Sequence, residues 1–415
     1  MKKSWFLLLA AYAAFFAIGM PEAFGVALPG IRFDMGLSRG QASAIMIVNS
    51  LSYALAASQA GRLEKFLRLK WVTGGGFFML MAGIAGYIIS PNLAGMLVST
   101  SLLGAGASLV DAGANALVVS RFSARHMNHL HCFWAMGGAI SPLIMRQMII
   151  YYDWRTGYAA IFAVQFLILL ILLISILRGL WDARQARGDS RGQESKAAHS
   201  LEAEQNSEAH PPEAEQNSAG GEVSFITARR FQYLQFLVFF VYVAFESSVT
   251  IWTVDVLLNS ARRDVVFETA GLFPAVYLGA LMAGRFIFGY ITEKFSGITV
   301  IRTGFFIAGV GLVALIFTSN IIGIALVGFG FAPIFPCLMN ETKRRFDPAM
   351  LSKLVGMQVA AAGAGAALGS LAIGQILENI SLDAFFPAII ALVIAAFVLN
   401  EIIERARRNV NASAL

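Results

Sequence analysis

Charge is scarce in this chain: only 13% of its 415 residues are Asp, Glu, Lys or Arg. A soluble globular domain carries about a quarter charged side chains, so composition argues against a soluble enzyme of two or three domains. Cysteine is nearly absent too. Cys132 and Cys337 are too few and too far apart for a disulfide framework or a thiolate metal site. Both sit in apolar runs, where a free thiol behaves as a small hydrophobe. There is no Gly-x4-Gly-Lys-Ser/Thr phosphate loop, which leaves ATP-driven transport unsupported, and no His-Glu-x-x-His metal pair. With no nucleophile placed beside a base, the chain is read as a non-enzyme that needs no cofactor and no metal.

Hydrophobic side chains are what remain, at 57% of the residues with a mean hydropathy of +0.68. A spanning helix takes about 20 mostly apolar residues. Long apolar runs fall at 5–30, 41–61, 71–90, 95–119, 128–150, 157–178, 231–257, 268–291, 298–318, 320–340, 354–376 and 382–402. They predict an all-α integral membrane protein of twelve transmembrane helices. Lys2 and Lys3 ahead of the first run imitate a secretory signal, but the run continues to about Ile31, longer than a signal core.

The net charge of +6 is explained by topology, leaving nucleic acid without support as a partner. Basic clusters at Arg62, Lys65, Arg68 and Lys70, at Arg121 and Arg125, at Lys343, Arg344 and Arg345, and at Arg405, Arg407 and Arg408 lie on one side of the predicted spans. The opposite connections hold Arg32, Arg39, Arg155, Arg262 and Arg263. Basic loops mark the cytoplasmic face, so the protein is expected in the cytoplasmic (inner) membrane with both termini inside. From about Arg184 to Arg230 the chain is polar, with Glu-Ala-Glu-Gln-Asn-Ser at 202–207 and again at 213–218. Such a segment buries too little surface to fold and reads as a flexible linker. The expected organisation is therefore 1–180, a first six-helix bundle; 181–230, a cytoplasmic linker; and 231–415, a second bundle.

The two bundles share a pattern. Leu102-Leu103-Gly104-Ala105-Gly106 leads to Asp111 and Asn115, and Leu326-Val327-Gly328-Phe329-Gly330 leads to Pro336 and Asn340. Glu22 and Glu246 hold matching places, and Glu-Lys-Phe recurs at 64–66 and 293–295. Parallel duplication of six-helix halves, with a substrate site between them, is a known transporter plan. The turns from Gly61 to Phe66 and from Gly289 to Phe295 resemble the signature of the major facilitator superfamily, which implies two pseudo-symmetric six-helix bundles. In that resemblance Gly61, Glu64, Gly289 and Glu293 form gating turns at helix ends, although the first copy is shortened and its acid stands one place early. Asp111-Ala112-Gly113-Ala114-Asn115, Asn128-His129-Leu130-His131 with Gly137-Gly138, and Tyr242-Val243-Ala244-Phe245-Glu246 with Trp252 resemble the fucose permease-like branch of proton-coupled hexose symporters.

Ionisable groups inside a membrane are costly and default to functional hypotheses. Asp111 and Asn115 stand one helical turn apart on one face; the resemblance implies that Asp111 handles the coupled proton and Asn115 helps bind sugar. Glu22 follows Pro21, which removes a backbone donor and can open the helix. Glu22 and Glu246 are the further proton-coupling candidates. His131 and Trp134 share a face, a titrating ring beside an aromatic platform; Trp252 and Gln358 are further substrate-binding candidates. His126 and His129 read as loop residues. Arg285 is explained by snorkelling at a helix end or by pairing with the following turn.

The expected function is secondary transport by alternating access: proton-coupled uptake of a monosaccharide or similar small hydroxylated solute by a monomer in the lipid bilayer. Its alternative is a proton-driven exporter of drugs or metabolites.

Overall fold

The structure is a computed structural model that describes residues 2–66, 69–122, 124–170, 229–347 and 351–412. Most of the predicted linker, 181–228, lies outside the described residues. Apolar runs of this length become helices because a bilayer offers no water to satisfy open backbone groups. Helix α1 (Lys2–Gly19) passes through a 3-10 turn at Met20–Ala23 into α2 (Phe24–Met35). Then come α3 (Arg39–Phe66), α4 (Leu69–Ile89), α5 (Leu93–Arg121) and α6 (Ala124–Tyr151), followed by α7 (Trp154–Leu170). The second half holds α8 (Arg229–Asn259), the short α9 (Phe267–Ala270), α10 (Phe273–Ile291), α11 (Gly297–Phe317), α12 (Ile321–Phe331), α13 (Ile334–Arg345), α14 (Leu351–Asn379) and α15 (Phe385–Ala412).

Each predicted span finds helix at its place. Among the described residues, 10 stretches are long and apolar enough to cross a membrane. The other two predicted spans differ from them. The described part of α7 is shorter, and α3 is long but too polar. Its polar residues are used internally: Asn49 donates to Thr100 Oγ1 on α5 at 3.3 Å, and Tyr53 donates to Asp111.

Three predicted single helices are broken, each at a proline. The first span turns 3-10 around Pro21, the eighth restarts at α10 with Pro274 in its first turn, and the tenth divides at Pro333. Proline has no amide donor, so the preceding turn loses a bond and the helix bends or restarts. The caps follow ordinary chemistry: Asn92, Ser296 and Asn320 accept from backbone amides at the starts of α5, α11 and α12. Gly36, at φ 62°, ends α2 in the left-handed conformation that glycine tolerates.

The internal repeat is legible in the packing. A Cβ on Gly104 would strike the Asn49 carbonyl of α3, and one on Gly328 would strike the Tyr277 carbonyl of α10. Gly106 and Gly330 abut the Gly76 and Gly304 carbonyls in the same manner. Matched glycines therefore permit matched close approaches, α5 on α3 and α4, α12 on α10 and α11. The halves meet where α2 packs on α8, α3 on α14 and α6 on α10.

Candidate functional site

Glu22 sits in the 3-10 turn that interrupts the first span. Its Cγ lies against Gly138 of α6, the glycine that also faces Leu278 of α10, so this carboxylate stands at the contact between halves. Close approach of α1 and α6 sets it there: Gly19 abuts the Trp134 carbonyl, and Gly137 the Phe16 carbonyl. Glu246 of α8 answers from the other half, within electrostatic reach of Glu22 and beside the Tyr242 ring. Both acids lie deep in the protein yet keep part of their surface accessible, as side chains lining a cavity do.

Arg285 of α10 joins this centre, within electrostatic reach of Glu246, Tyr242 and Tyr277. Its guanidinium lies 5.7 Å from the ring centroid of Trp134, across the interface. Snorkelling at a helix end is therefore the wrong account of Arg285, because it reaches into the contact between halves. Its Nε is buried without a hydrogen-bond partner among the described residues, and so is the Tyr277 hydroxyl.

Asp111 heads a second group inside the first half. The Tyr53 hydroxyl donates to its Oδ2 at 2.6 Å, and Asn115 Nδ2 donates to its Oδ1 at 2.9 Å. Asn115 thus spends its amide on Asp111 and offers a solute only its carbonyl oxygen. His131 has an open face, packs edge-on to Phe15 at 5.3 Å, and lies within electrostatic reach of both Asp111 and Arg285. It links the two groups. Tyr12 holds His126 Nδ1 at 3.0 Å, a packing role. Among the described residues no three His, Cys, Asp or Glu side chains are gathered for a metal.

At the end of the interface where α2 gives way to α3, the halves are tied by charge. Asp255 of α8, wholly buried, takes Arg32 at 2.6 Å and Arg39 at 2.8 Å. The Arg39 amide also donates to Glu378 of α14 at 2.8 Å. Asn259 steadies Asp255 as Asn115 steadies Asp111. The shared Asp-x3-Asn spacing was a visible signal for Asp255 that charge counting by loops passed over.

The remaining predicted site residues are placed elsewhere. Trp252 is fully buried and donates to the Ser370 carbonyl at 3.0 Å. Gln358 is fully buried and donates to Thr342 at 3.0 Å, in a cluster where Arg345 binds Gln235 and Asn400. Neither presents a surface to a solute in this conformation, so both are corrected to packing residues here. Gly289 closes α10 with open space around it, and Glu293 in the following turn is exposed. Gly61 and Glu64 fall in the last two turns of α3, and their surroundings lie outside the described residues. Gly36-Leu37-Ser38-Arg39-Gly40 happens to spell a Gly-x-Ser-x-Gly nucleophile motif. It is a helix cap: the Gln41 amide donates to the Ser38 hydroxyl at 3.1 Å, and no strand leads into it.

Residues 5–342 and 260–412 match the Major Facilitator Superfamily. The chain belongs to that family. It is a transporter rather than an enzyme, a multi-pass membrane protein built for secondary transport. This facilitator matches no curated protein. Its fold is similar to a peptide transporter, POT, solved in complex with sulfate: TM-score 0.72, 13% identity, covering 98% of this chain and 94% of that one. A POT family transporter in complex with 5-aminolevulinic acid gives 0.68 at 13% identity, over 98% and 96%. The nucleoside transporter NupG gives 0.70 at 10% identity, over 95% and 99%. At such identities the likeness concerns the fold alone.

Proposed function

We propose that this facilitator is a proton-coupled symporter that brings a small hydroxylated solute into the cell. The observation that carries the reading is the placing of Glu22 against α6 where it packs on α10, with Glu246 of the other half within electrostatic reach. Alternating access works by rocking one half against the other around a central site. Two carboxylates at that contact repel when both are ionised, so taking up a proton eases the approach of the halves. Asp111 is the third acid in this scheme, linked to the centre through His131. Asn115, His131 and Trp134 supply polar and aromatic contacts for the solute.

The branch resemblance in spans four, five and seven supports a sugar-like cargo. The basic clusters support cytoplasmic termini, and on that orientation the Arg32–Asp255–Arg39 cluster closes the outer side while the site faces inward. We read the protein as a monomer of the cytoplasmic membrane.

The test is solute-driven proton flux in proteoliposomes under imposed pH gradients. Uptake should run with the proton gradient, and Asp111→Asn and Glu22→Gln should each uncouple it. If Asp111→Asn still moves protons with solute at the wild-type ratio, Asp111 has no coupling role. Solute leaving against the proton gradient would replace symport by proton-driven export.

A further inference from the structure

Among the described residues, other arginines buried at the interface or inside the second half hold polar partners. Arg32 and Arg39 hold Asp255, Arg302 grips Glu401, and Arg345 bonds Gln235 and Asn400. Arg285 forms no ion pair or hydrogen bond among the described residues, and its Nε is buried. A guanidinium at such depth is expensive unless something compensates it, and intramembrane charges of this kind mark substrate paths. Trp134 covers it from the opposite half at 5.7 Å, a contact that leaves the donor groups free, because they project in the guanidinium plane. On the same helix as Arg285 and within its electrostatic reach, the Tyr277 hydroxyl, in a side chain only 1% exposed, also lacks a partner. Two donors of α10 are thus without a hydrogen-bond acceptor on the face it turns to the other half.

We propose that Arg285 receives the carboxylate of the transported solute, so that the substrate class is a small hydroxylated monocarboxylate such as a sugar acid. This rests on the symport reading and narrows it. The guanidinium edge matches a carboxylate by two parallel hydrogen bonds, Tyr277 supplies a further donor, and the indole of Trp134 packs the carbon chain. One fixed cation with the Glu246 carboxylate in reach suits a monoanion; a phosphate dianion would meet more repulsion than a single guanidinium offsets. The groups within electrostatic reach of Arg285 are Glu246 and Tyr242 from α8, Tyr277 from α10, and His131 and Cys132 from α6; Glu22 from the 3-10 turn is in reach of Glu246 and Tyr277, and Asp111 of His131. When Glu246 carries a proton, the charge of Arg285 is left to the solute, and Glu22, in electrostatic reach of Glu246, favours that protonation. Proton and anion then load together, and the filled site crosses nearer to neutrality.

The test uses the full chain, in detergent for thermal shift and in proteoliposomes for flux, with D-gluconate, D-glucuronate and D-glucose as probes. The acids should stabilise the wild type saturably, and glucose at equal concentration should not. Arg285→Gln should weaken acid binding by about tenfold to hundredfold, the range for a lost charged hydrogen bond; Arg285→Lys, which keeps the charge and loses the fork, should fall between. Equal stabilisation by glucose and the acids overturns the inference. So does the absence of any shift with the acids, or unchanged acid binding in a folded Arg285→Gln protein. Glucose-driven proton uptake that is the same in wild type and Arg285→Gln upholds symport and overturns this assignment. Arg285-dependent acid binding and uptake without proton movement upholds the assignment and overturns symport.

Discussion

Asp255 and Arg39 join the two halves of the protein across 2.8 Å, with the Asp255 carboxylate wholly buried. The pair is held from both sides, since Arg32 takes the other carboxylate oxygen at 2.6 Å. A buried charge deprived of its partner costs several kcal/mol, roughly 3–5. On the alternating-access reading, rocking of the halves parts this contact, so the cost falls on the state described here. Asp255→Asn should therefore open this end of the interface, raising hydrogen exchange at the start of α3 and the end of α14 by tenfold or more, roughly the effect of 1.4 kcal/mol. Salt should change little in the wild type, because buried pairs are weakly screened. Unchanged exchange in both segments would show that apolar packing, not this cluster, holds the end shut.

The turn between α6 and α7 gives a pH-dependent prediction away from the membrane. The Thr156 amide donates to Asp153 at 2.7 Å and holds its carboxyl below the usual carboxylate range. The folded value is thus lower than the unfolded one. Its stabilisation is present above the unfolded pKa of about 3.9 and is lost as pH falls through the folded value. Asp153→Ala should cost about 1 kcal/mol near neutral pH, as the loss of a helix cap does. The melting-temperature gap between variant and wild type should narrow below about pH 4. A gap that is constant from pH 7 to pH 3 would mean that the side chain acts by something other than its charge.

Elements far apart in kind were legible in the sequence for one reason: they are governed by local composition. Apolar length fixed the spans, and paired glycines marked the repeat, which the structure turns into matched close contacts because Gly104 and Gly328 leave no room for a Cβ. Glu22, Glu246 and Asp111 stood out because charge is rare inside a bilayer. Contacts between distant segments were not legible. Tyr53 reads as one aromatic among many until α3 is laid against α5. Asp255 and Arg39, 216 positions apart, carry no mutual signal in a linear string. Arg285 misled because a basic residue near a predicted helix end has an adequate local explanation, and only the arrival of Trp134 from the other half removes it. Trp252 and Gln358 misled in the opposite sense. Polar or aromatic character in a span suggests a cavity, yet each finds its hydrogen bond inside one half.

The Tyr53–Asp111 bond offers a cycle that separates structural from coupling roles. Tyr53 donates to Oδ2 at 2.6 Å while Asn115 occupies Oδ1, so each carboxylate oxygen has one donor. Tyr53→Phe removes only the hydroxyl, and a buried hydrogen bond to a charged group is worth about 1.5–3 kcal/mol. Asp111→Asn keeps the shape and abolishes the titration. Residues that share one bond should not be additive. If Tyr53 acts through Asp111, Tyr53→Phe should slow solute-driven proton uptake in the wild-type background and change nothing further in Asp111→Asn. Melting curves of the four proteins should show the same non-additivity. Fully additive losses in both flux and melting temperature would detach Tyr53 from the coupling acid and leave the hydroxyl a purely structural part of the α3–α5 contact.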